Sequence, residues 1–421
     1  MQIGLVLDHF DPRRGGVEQW TDQFARQLLR LGHEVHVVAT TFQEPPQPIE
    51  LACRTGTLVR RTTSDGQECP SYETTTLPPS WIIPHPIPAH RYRMERGRAA
   101  EEILRQLDLD IVHDMGFGWY GDILQPHGGS RTAAEERNLM LAPRWMHPIK
   151  RVVDRFLPRY REFAELTRMQ FGSPNGPVVL ALSQMVYRDM QRLHGLPDSR
   201  LRLIYNGVDV QRFSPEWRAE HREPTRRSLG VADDEVLFLI VAHNLKLKGV
   251  PTLIRALGRL RREGVRAKVV VVGGKRTRGM RWLARWQGVD REATFVGAVD
   301  DPRDFYAAAD VYVQPTFYDP CSLVVLEALA CGLPVITTKF NGAGELMTVG
   351  EHGYLLDDPA DSKGLADLMR QTLDSKRRAA MSCAARELAL RHTFEENVRQ
   401  IVGVYEELAS RPLKRSQTHS A

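Results

Sequence analysis

The feature that most constrains this chain is a series of short β-rich runs separated by amphipathic helical stretches. In the second half the runs lie at 236–241, 268–272, 294–296, 311–314 and 335–337. Helical patterns between them cover 251–263, 302–309 and 322–330. Strands that alternate with helices predict a doubly wound parallel α/β sheet, because parallel strands need crossover connections. In such a sheet, ligands bind beyond the carboxyl ends of the strands.

The first half shows the same alternation. An apolar strand at 3–7 leads into a turn with Gly15 and Gly16, and a second strand follows at 34–39. Between them, one helical face carries Val17, Trp20, Phe24, Leu28 and Leu31. Further strands are predicted at 110–113, 123–125, 178–182 and 201–205, with a helix at 98–107, whereas 43–90 is interpreted as loops and short strands. The complete G-x-G-x-x-G fingerprint is absent, so a dinucleotide site is poorly supported.

The length of 421 residues favours two domains, because single cores seldom exceed about 250 residues. Between the two series, 214–234 is rich in Pro, Arg and Glu and has no apolar period, which predicts an interdomain linker. A last amphipathic helix is predicted at 394–408, and the polar tail at 412–421 is expected to be disordered.

Charge and cysteine content narrow the class of protein. Lys and Arg number 57 and Asp and Glu number 52, so the net charge is +5. This mild excess does not imply a nucleic-acid partner, but anionic small molecules or a membrane surface stay open. No run approaches the roughly 18 apolar residues of a membrane span, and the N-terminus predicts a strand rather than a signal peptide. Five cysteines without metal-type spacing favour a reducing cytoplasm.

The most informative stretch is 318–336, which predicts a sharp turn, a helix and a strand. Pro320 keeps Asp319 out of helical geometry. Ser322 is placed to cap the helix and to leave the next two backbone amides available. A helix start of this kind carries about +0.5 charge and suits a diphosphate.

Three further features belong near the same edge of the sheet. Glu327 lies one turn into the helix, where it can accept ribose hydroxyls; the alternative is a buried Glu327 that pairs with a neighbouring base. Lys248 follows the first strand of the second half, and its compact charge suits a phosphate, although most lysines are simply solvated. Gly297 can set backbone groups against a base. Lys275 and Arg276 can add cations, but a solvated loop is the preferred interpretation for them.

Together these motifs resemble glycosyltransferase family 4, whose members are retaining enzymes that use nucleotide sugars. The family has the GT-B fold, in which two Rossmann-like doubly wound domains face each other across a cleft. The resemblance covers nearly the whole chain and rests on Gly15-Gly16, His127-Gly128, Ser183, Asn206-Gly207-Val208-Asp209 with Phe213, Lys248-Gly249, and the acid-x7-Glu motif from Asp319 to Glu327. It also implies a last helix that crosses back to the first domain. The domains would be 1–212 with 393–421, which binds the acceptor, and 213–392, which binds the nucleotide sugar.

The resemblance implies roles for individual residues. Glu327 would hold the ribose, Lys248 the diphosphate and His127 the transferred sugar. The implied catalytic set is His127, Lys248 and Asp319, and Asp122 is assigned to the acceptor. The implied donor-binding set comprises Gly15, Gly16, His243, Lys248, Gly297, Cys321, Ser322, Leu323, Val324 and Glu327.

Two positions depart from the family pattern. The first acid of the motif is normally Glu but here is the shorter Asp319, and His243 stands where an Arg is common. These departures leave open a non-catalytic nucleotide- or glycan-binding protein on the same fold. A nucleotide-sugar epimerase, which needs no acceptor, is a third interpretation.

The expected chemistry needs neither a metal nor another cofactor. Lys248 and helix amides can stabilise the charge that grows on a departing diphosphate. The aspartate pairs at 233–234, 300–301 and 357–358 are interpreted as turn formers rather than metal ligands. The resemblance implies retention by front-face attack assisted by the departing phosphate, with no covalent nucleophile, and it favours a UDP-sugar donor.

The segment 144–170 bears on the acceptor. It holds seven basic and three acidic residues interleaved with apolar ones, a net charge of +4. Such a basic amphipathic stretch suits an anionic membrane surface, for example the inner face of the cytoplasmic membrane; the alternative is an ordinary helix with a core-facing stripe. Residues 159–164 resemble the corresponding segment of the lipopolysaccharide-core α-glucosyltransferases that act on inner-core heptose. That likeness favours an envelope glycan or glycolipid acceptor.

Overall fold

The computed structural model describes residues 1–42, 57–62, 68–73 and 82–410. The chain forms two compact units. The first comprises Met1–Leu124 and the end of the chain from Leu408, and the second comprises Gln125–Glu407.

The first unit is built around parallel strands. Its elements in chain order are β1 (Gln2–Phe10), α1 (Val17–Arg30), β2 (Glu34–Phe42), β3 (Thr57–Thr62), β4 (Glu68–Glu73), β5 (Ile82–Pro86), α2 (Arg93–Gln106), β6 (Ile111–Asp114) and β7 (Ile123–Leu124). Within this unit the parallel strands have the order β5-β2-β1-β6-β7, and β3 pairs with β4 in antiparallel fashion. Chain order reverses between β1 and β6, so the topological switch point lies there.

Helix α1 covers one face of these strands through side chains at helical spacing. Trp20, Phe24 and Leu28 are buried, and the rings of Trp20 and Phe24 stack with centroids 4.8 Å apart. Leu31 follows the last helical residue and is 50% exposed. The predicted apolar face is therefore present up to the last turn, where the helix ends before Gly32 (φ 81°).

The second unit begins with helices and a pair of parallel strands, β8 and β9. These elements are α3 (Arg131–Leu139), α4 (His147–Phe156), α5 (Pro158–Phe171), β8 (Val178–Ala181), α6 (Gln184–His194), β9 (Leu201–Leu203) and α7 (Pro215–Ser228). The elements of a larger sheet follow as β10 (Val236–Val241), α8 (Val250–Arg262), β11 (Ala267–Val272), α9 (Arg278–Trp286), β12 (Ala293–Gly297), α10 (Arg303–Ala308), β13 (Val311–Val313), α11 (Leu323–Ala330), β14 (Val335–Thr338) and β15 (Gly353–Leu356). The last helices are α12 (Ser362–Gln371), α13 (Ser375–Leu390) and α14 (Phe394–Ala409).

The larger sheet has six strands in the order β12-β11-β10-β13-β14-β15, and each neighbouring pair is parallel. Strand β10 lies in the middle because it is apolar on both faces. Phe238 and Ile240 pack into a core shared with α8 and α9, whereas Leu237 and Leu239 pack into a core shared with α11 and α13. Chain order reverses between β10 and β13, which is the switch point of this sheet.

The expectation of parallel α/β sheets is confirmed. The predicted strands are all present, with ends that differ by at most three residues, whereas the helix predicted at 98–107 begins earlier, at Arg93. Besides α7, five elements of the described residues were not predicted as such: α3, α9, α12, α13 and β15. The predicted disordered tail at 412–421, and the parts of 43–90 at 43–56, 63–67 and 74–81, lie outside the described residues.

The prediction of an interdomain linker at 214–234 is wrong, because the segment lies inside the second unit. The segment contains α7, whose first turn is capped by the Ser214 hydroxyl, which accepts the Trp217 amide N–H at 3.3 Å. The helix is fixed by charge rather than by an apolar stripe. Arg222 and Arg226 donate to the two carboxylate oxygens of Asp310 at 2.6 and 3.0 Å. Buried ion pairs of this kind leave no hydrophobic period in the sequence, which is why the helix was missed.

Candidate active site

The predicted site residues of the second unit gather at the switch point between β10 and β13. The loop after β10 ends at Gly249, the N-cap of α8, and the loop after β13 leads to α11. Gly249 has φ 79°, and a Cβ there would overlap the carbonyl oxygen of Pro315. Glycine is therefore required for the two loops to touch. Since ligands of open α/β sheets bind at this position, the two loops define the candidate site.

An ion pair joins the two loops. Lys248 Nζ donates to Asp319 Oδ2 at 2.5 Å, and the Gln314 amide donates to the same oxygen at 3.1 Å. The side-chain oxygen of Gln314, Oε1, accepts hydrogen bonds from the hydroxyls of Tyr312 at 2.9 Å and Ser322 at 3.3 Å. The Lys248 side chain is 21% exposed and that of Asp319 is 11% exposed. The ammonium is thus held at the edge of the sheet by a buried polar network and still reaches solvent.

The start of α11 presents backbone donors beside this network. Ser322 is the N-cap, as predicted, but its hydroxyl bonds Gln314 and makes no cap to its own helix. The Ser322 amide is taken by Asn341 Oδ1 at 3.3 Å. Within the described ranges, the amides of Leu323 and Val324 have no hydrogen-bond partner. Two free amides and the helix dipole make this end of α11 suited to an anion.

Cys321 contributes no side chain to this surface. Its thiol is buried in the core shared by α11 and α13, and burial raises the pKa of the thiol. Its backbone carbonyl accepts the Asn206 side-chain amide at 2.8 Å. The sequence predicts that Cys321 contacts the nucleotide sugar. Such a contact would have to come from the Cys321 backbone.

Glu327 lies one turn into α11 and is only partly exposed. Its Oε2 accepts the Tyr306 hydroxyl at 2.8 Å. Burial raises the pKa of Glu327 to about 7, although the Tyr306 hydrogen bond and the charge of Arg212 act in the opposite direction. The second oxygen has no partner among the described residues, so the carboxylate can accept a ligand hydroxyl.

The turn that carries His127 packs on the motif containing Asp319. Gly129 has φ 67°, and a Cβ there would overlap the Tyr318 hydroxyl. The same Cβ would lie 2.9 Å from Pro320 Cγ. Burial lowers the pKa of His127 to about 3, so the imidazole is neutral at physiological pH. His127 is therefore equipped to exchange hydrogen bonds rather than to supply a positive charge.

Other predicted cations and backbone groups flank the network without joining it. His243 and Lys246 are exposed in the loop after β10, and no ion pair holds either side chain in the described part of the chain. Lys275 and Arg276 are exposed after β11. Gly297 ends β12 with φ 91°, and its carbonyl accepts the Gly273 amide at 2.6 Å.

The remaining predicted residues belong to the first unit. Gly15 (φ 81°) and Gly16 (φ 59°) follow β1 at that sheet's switch point, and Gly16 is the N-cap of α1. Nothing lies within 4 Å of a Cβ built at either glycine, so the backbone there is open to a ligand. Asp122, assigned from the sequence to the acceptor, accepts the Val112 amide through Oδ2 at 2.8 Å. One of its oxygens is therefore engaged in holding β6.

Comparison with known families decides what this arrangement belongs to. The family described as Glycosyltransferase Family 4 matches residues 14–212, and the family described as Glycosyl transferases group 1 matches 221–388. The two matches together span most of the chain.

The chain belongs to glycosyltransferase family 4.

Individual relatives of this glycosyltransferase act on different substrates. It is 27% identical to the GDP-mannose-dependent α-(1-6)-phosphatidylinositol monomannoside mannosyltransferase of Mycolicibacterium smegmatis, over 92% of this chain and 93% of that protein. It is 28% identical to the lipopolysaccharide glucosyltransferase WaaG of Escherichia coli, over 52% of this chain and 59% of that protein. A crystal structure of WaaG superposes with a TM-score of 0.73 at 20% identity, covering 96% of this chain and 99% of that one. The predicted GT-B class, with two Rossmann-like domains, is thereby confirmed.

Three residues of the candidate site were not predicted from the sequence: Gln314, Tyr306 and Asn341. Gln314 carried a usable signal, because it is an amide at the end of an otherwise apolar predicted strand, where ligands of such sheets bind. Tyr306 lies in a predicted helix, and its hydrogen bond to Glu327 spans 21 residues of sequence. Nothing local in the sequence marks that contact.

Proposed function

We propose that this glycosyltransferase moves a hexose from a nucleotide-diphosphate sugar, with a UDP-sugar as first choice, to an envelope glycan or glycolipid acceptor such as lipopolysaccharide core. The reaction retains the anomeric configuration and needs no metal. The observation that carries the proposal is that the Lys248 ammonium is bound to Asp319, in the loop that leads to the free amides of α11 at the same switch point.

The two groups supply what a departing nucleotide diphosphate needs. As the glycosidic bond breaks, negative charge grows on the β-phosphate, and an ammonium and two amides fixed beforehand stabilise it without reorganisation. A single preorganised donor of this kind contributes about 3–4 kcal/mol to the transition state. Glu327 then accepts ribose hydroxyls through its free oxygen, which orients the nucleoside.

The proposed reaction proceeds on one face of the sugar. The bond from the anomeric carbon to the β-phosphate oxygen breaks while a bond to the acceptor oxygen forms, and the acceptor proton passes to the departing phosphate. Asp319 makes a poor covalent nucleophile, because Lys248 and Gln314 both hold its Oδ2. Neutral His127 supports the route as a hydrogen-bonding partner of the sugar.

The names of the relatives support a lipid-linked acceptor. The mycobacterial relative acts on a phosphatidylinositol mannoside, and the Escherichia coli relative is a lipopolysaccharide glucosyltransferase. They differ in the sugar transferred, and the first uses GDP-mannose. GDP-mannose is therefore the donor that competes with a UDP-sugar in this proposal.

The surface of α4 supports action at a membrane. No helix among the described residues is long and apolar enough to cross a bilayer. However, Trp145 just before α4, and Ile149, Val153 and Phe156 within it, recur at helical spacing and are 70%, 55%, 52% and 67% exposed. These four side chains do not face a core, contrary to the alternative of an ordinary helix. A basic helix with an exposed apolar face fits peripheral placement on the inner face of the cytoplasmic membrane.

Product analysis tests the proposal. The wild type is incubated with labelled UDP-glucose, UDP-galactose or GDP-mannose and a lipopolysaccharide-core or lipid-linked acceptor, with and without EDTA, and the anomeric configuration is read by NMR. We expect α-linked product from one UDP-sugar in the presence of EDTA. Turnover of donor without acceptor would support an epimerase, and UDP binding without turnover across all donors and acceptors would support a binding protein. Loss of turnover on chelation would contradict the metal-independent mechanism.

A further inference from the structure

The segment that forms α8, β11 and α9 carries charge out of proportion to the chain. Residues 250–289 contain eleven basic residues and one acidic residue, a net charge of +10, whereas the whole chain has a net charge of +5. The rest of the chain is therefore net negative. The excess of positive charge is thus local to this segment.

Most of these cations have no ion-pair partner in the part of the chain that the structure describes. In the ranges that the structure describes, seven of them are exposed and form no ion pair: Arg255, Arg259, Arg262, Lys275, Arg276, Arg278 and Arg285. The single acid of the segment, Glu263, is bound by Arg370 of α12 at 2.5 Å. Unpaired charges of one sign at this density repel each other, and a negatively charged surface relieves that repulsion.

Two tryptophans lie on α9, the helix that also carries Arg278 and Arg285. Trp282 and Trp286 are 66% and 68% exposed, with ring planes 9° apart and centroids 6.2 Å apart. They are one turn apart, and Arg278 lies one turn before them. Met280 and Leu283 on the other side of α9 are buried in the core with α8, so the tryptophans cannot turn inward without unpacking it. Exposed indoles in fixed positions are unusual on a surface that contacts only water.

We propose that the outer surface of α8, α9 and the loop before α9, the basic aromatic face, docks on an anionic lipid bilayer. An apolar protein partner would use the indoles but not the seven unpaired cations. A soluble polyanion would use the cations but not the indoles. Anionic headgroups above an interfacial layer satisfy both, because indoles partition into that layer and each nearby cation adds attraction. The inference does not depend on the proposed transfer reaction, since the bilayer is bound whatever the donor or acceptor.

Co-sedimentation with vesicles tests the proposal. The full chain is mixed with phosphatidylcholine vesicles with or without phosphatidylglycerol, at low and high salt. To remove the contribution of α4, the measurements are repeated with Ile149→Ser and Phe156→Ser in place. We expect Arg278→Glu with Arg285→Glu to lower the partition coefficient on anionic vesicles at least about 25-fold, or about fivefold per cation. Trp282→Ser with Trp286→Ser should lower it about tenfold or more through lost apolar burial.

Matched variants distinguish this face from general charge and exposure. Arg188→Glu with Arg391→Glu changes the net charge equally at exposed sites outside the segment, and Val349→Ser with Leu390→Ser removes apolar side chains that are 57% and 50% exposed. Both controls should bind vesicles much as the wild type does. Equal binding of the test and control variants, or equal binding to neutral vesicles, would overturn the proposal. Binding to dextran sulfate without binding to vesicles would overturn it in favour of a polyanion site.

Discussion

At the scale of single residues, the chemistry of the site depends on the few atoms around Lys248. Its ammonium is held by Asp319, which also accepts the Gln314 amide, so a phosphate that binds there meets a charge already in place. Preorganised charge acts in the transition state, when the β-phosphate is most negative. Mutation of Lys248 should therefore affect turnover more than donor affinity.

We predict that Lys248→Ala lowers kcat by about 10²–10³ and changes UDP affinity less. Lys248→Arg should recover only part of the rate, because a planar fork does not reproduce a compact ammonium. Lys246→Ala is the matched control, since it removes the same charge from an exposed position of the same loop. The measurement is transfer of labelled hexose, with circular dichroism to check folding. An alanine variant that turns over at the wild-type rate would remove Lys248 from the mechanism.

From the raised pKa of Glu327 we predict that pH has opposite effects on the free energy of unfolding and on UDP affinity. Its pKa is about 7 in the folded protein, above the ordinary 4.5, so the folded state holds a proton that the unfolded state has released between these values. The free energy of unfolding should therefore fall as pH rises from about 4.5 to about 7, and Glu327→Gln should gain stability over the wild type above that range. In the proposed site, donor binding needs the carboxylate, so we expect wild-type UDP affinity to fall as pH drops below about 7.

Calorimetry and thermal unfolding on wild type and Glu327→Gln measure both trends. Tyr306→Phe removes a hydrogen bond that favours the carboxylate, so it should move the midpoint of UDP affinity to higher pH. Tyr354→Phe, which also removes one buried phenol hydroxyl, should leave that midpoint unchanged. A UDP affinity that is flat across this range would return Glu327 to a purely structural role.

Sequence reasoning reached some of these residues and missed others for a physical reason. Ser322 and Glu327 could be placed because a proline-bounded turn before an apolar helix fixes them locally. The pairing of Lys248 with Asp319 could not be predicted, since it joins residues 71 apart through tertiary structure. The roles proposed for these side chains stay predictions until the variants are measured.

At the scale of helices and strands, an element could be predicted only where its apolar residues formed a recognisable pattern in the sequence. Strand β10 was placed correctly because six apolar residues are bounded by charged and turn residues. Strand β15 has four residues, too few for a period to emerge. Helix α7 has no apolar stripe, because it is held by guanidinium groups on Asp310 and on backbone carbonyls.

Helix α7 should depend on Arg226 for its stability. This side chain is buried and bonds Asp310 at 3.0 Å, so Arg226→Ala leaves a buried carboxylate with one partner fewer. Breaking a buried pair in this way costs about 3–5 kcal/mol. The neighbouring Arg227 is exposed, and Arg227→Ala should cost less than about 0.5 kcal/mol. Urea unfolding of both variants gives the comparison, and equal midpoints would show that Arg226 does not anchor the helix.

The exposed face of α4 should bind lipid by itself. Ile149→Ser with Phe156→Ser removes two large apolar side chains from it, and we expect a loss of about tenfold or more in binding to phosphatidylglycerol vesicles. Raised salt should weaken wild-type binding through screening of the flanking cations. The reversal Arg151→Glu with Arg155→Glu and Arg159→Glu tests those charges; the side chains of Arg151 and Arg155 lie outside the described residues. If all variants sediment like the wild type, α4 has no role at a membrane.

At the scale of the whole molecule, ligand binding and stability are linked. A nucleotide that binds only the folded state raises the free energy of unfolding by about 2.7 kcal/mol at a hundredfold excess over its Kd. We predict that UDP raises Tm by several degrees and that EDTA does not abolish the rise, because Lys248 and the α11 amides provide the positive charge. The rise in Tm with GDP, measured in the same way, shows whether the site prefers uracil or guanine. A rise that disappears on chelation would show that a metal takes part in binding.

Because Lys248 already has a carboxylate partner in its own chain, much of its positive charge is offset before any ligand arrives. An ammonium has three N–H donors, so an anion can share it with Asp319, but that anion gains little by charge alone. A small ion such as chloride or inorganic phosphate has little else to offer. In the proposed binding mode, a diphosphate also reaches the two amides at the start of α11, and a nucleoside adds Glu327. We therefore expect the short acid of the motif to disfavour the abundant phosphate of a cell and to favour nucleotide sugars.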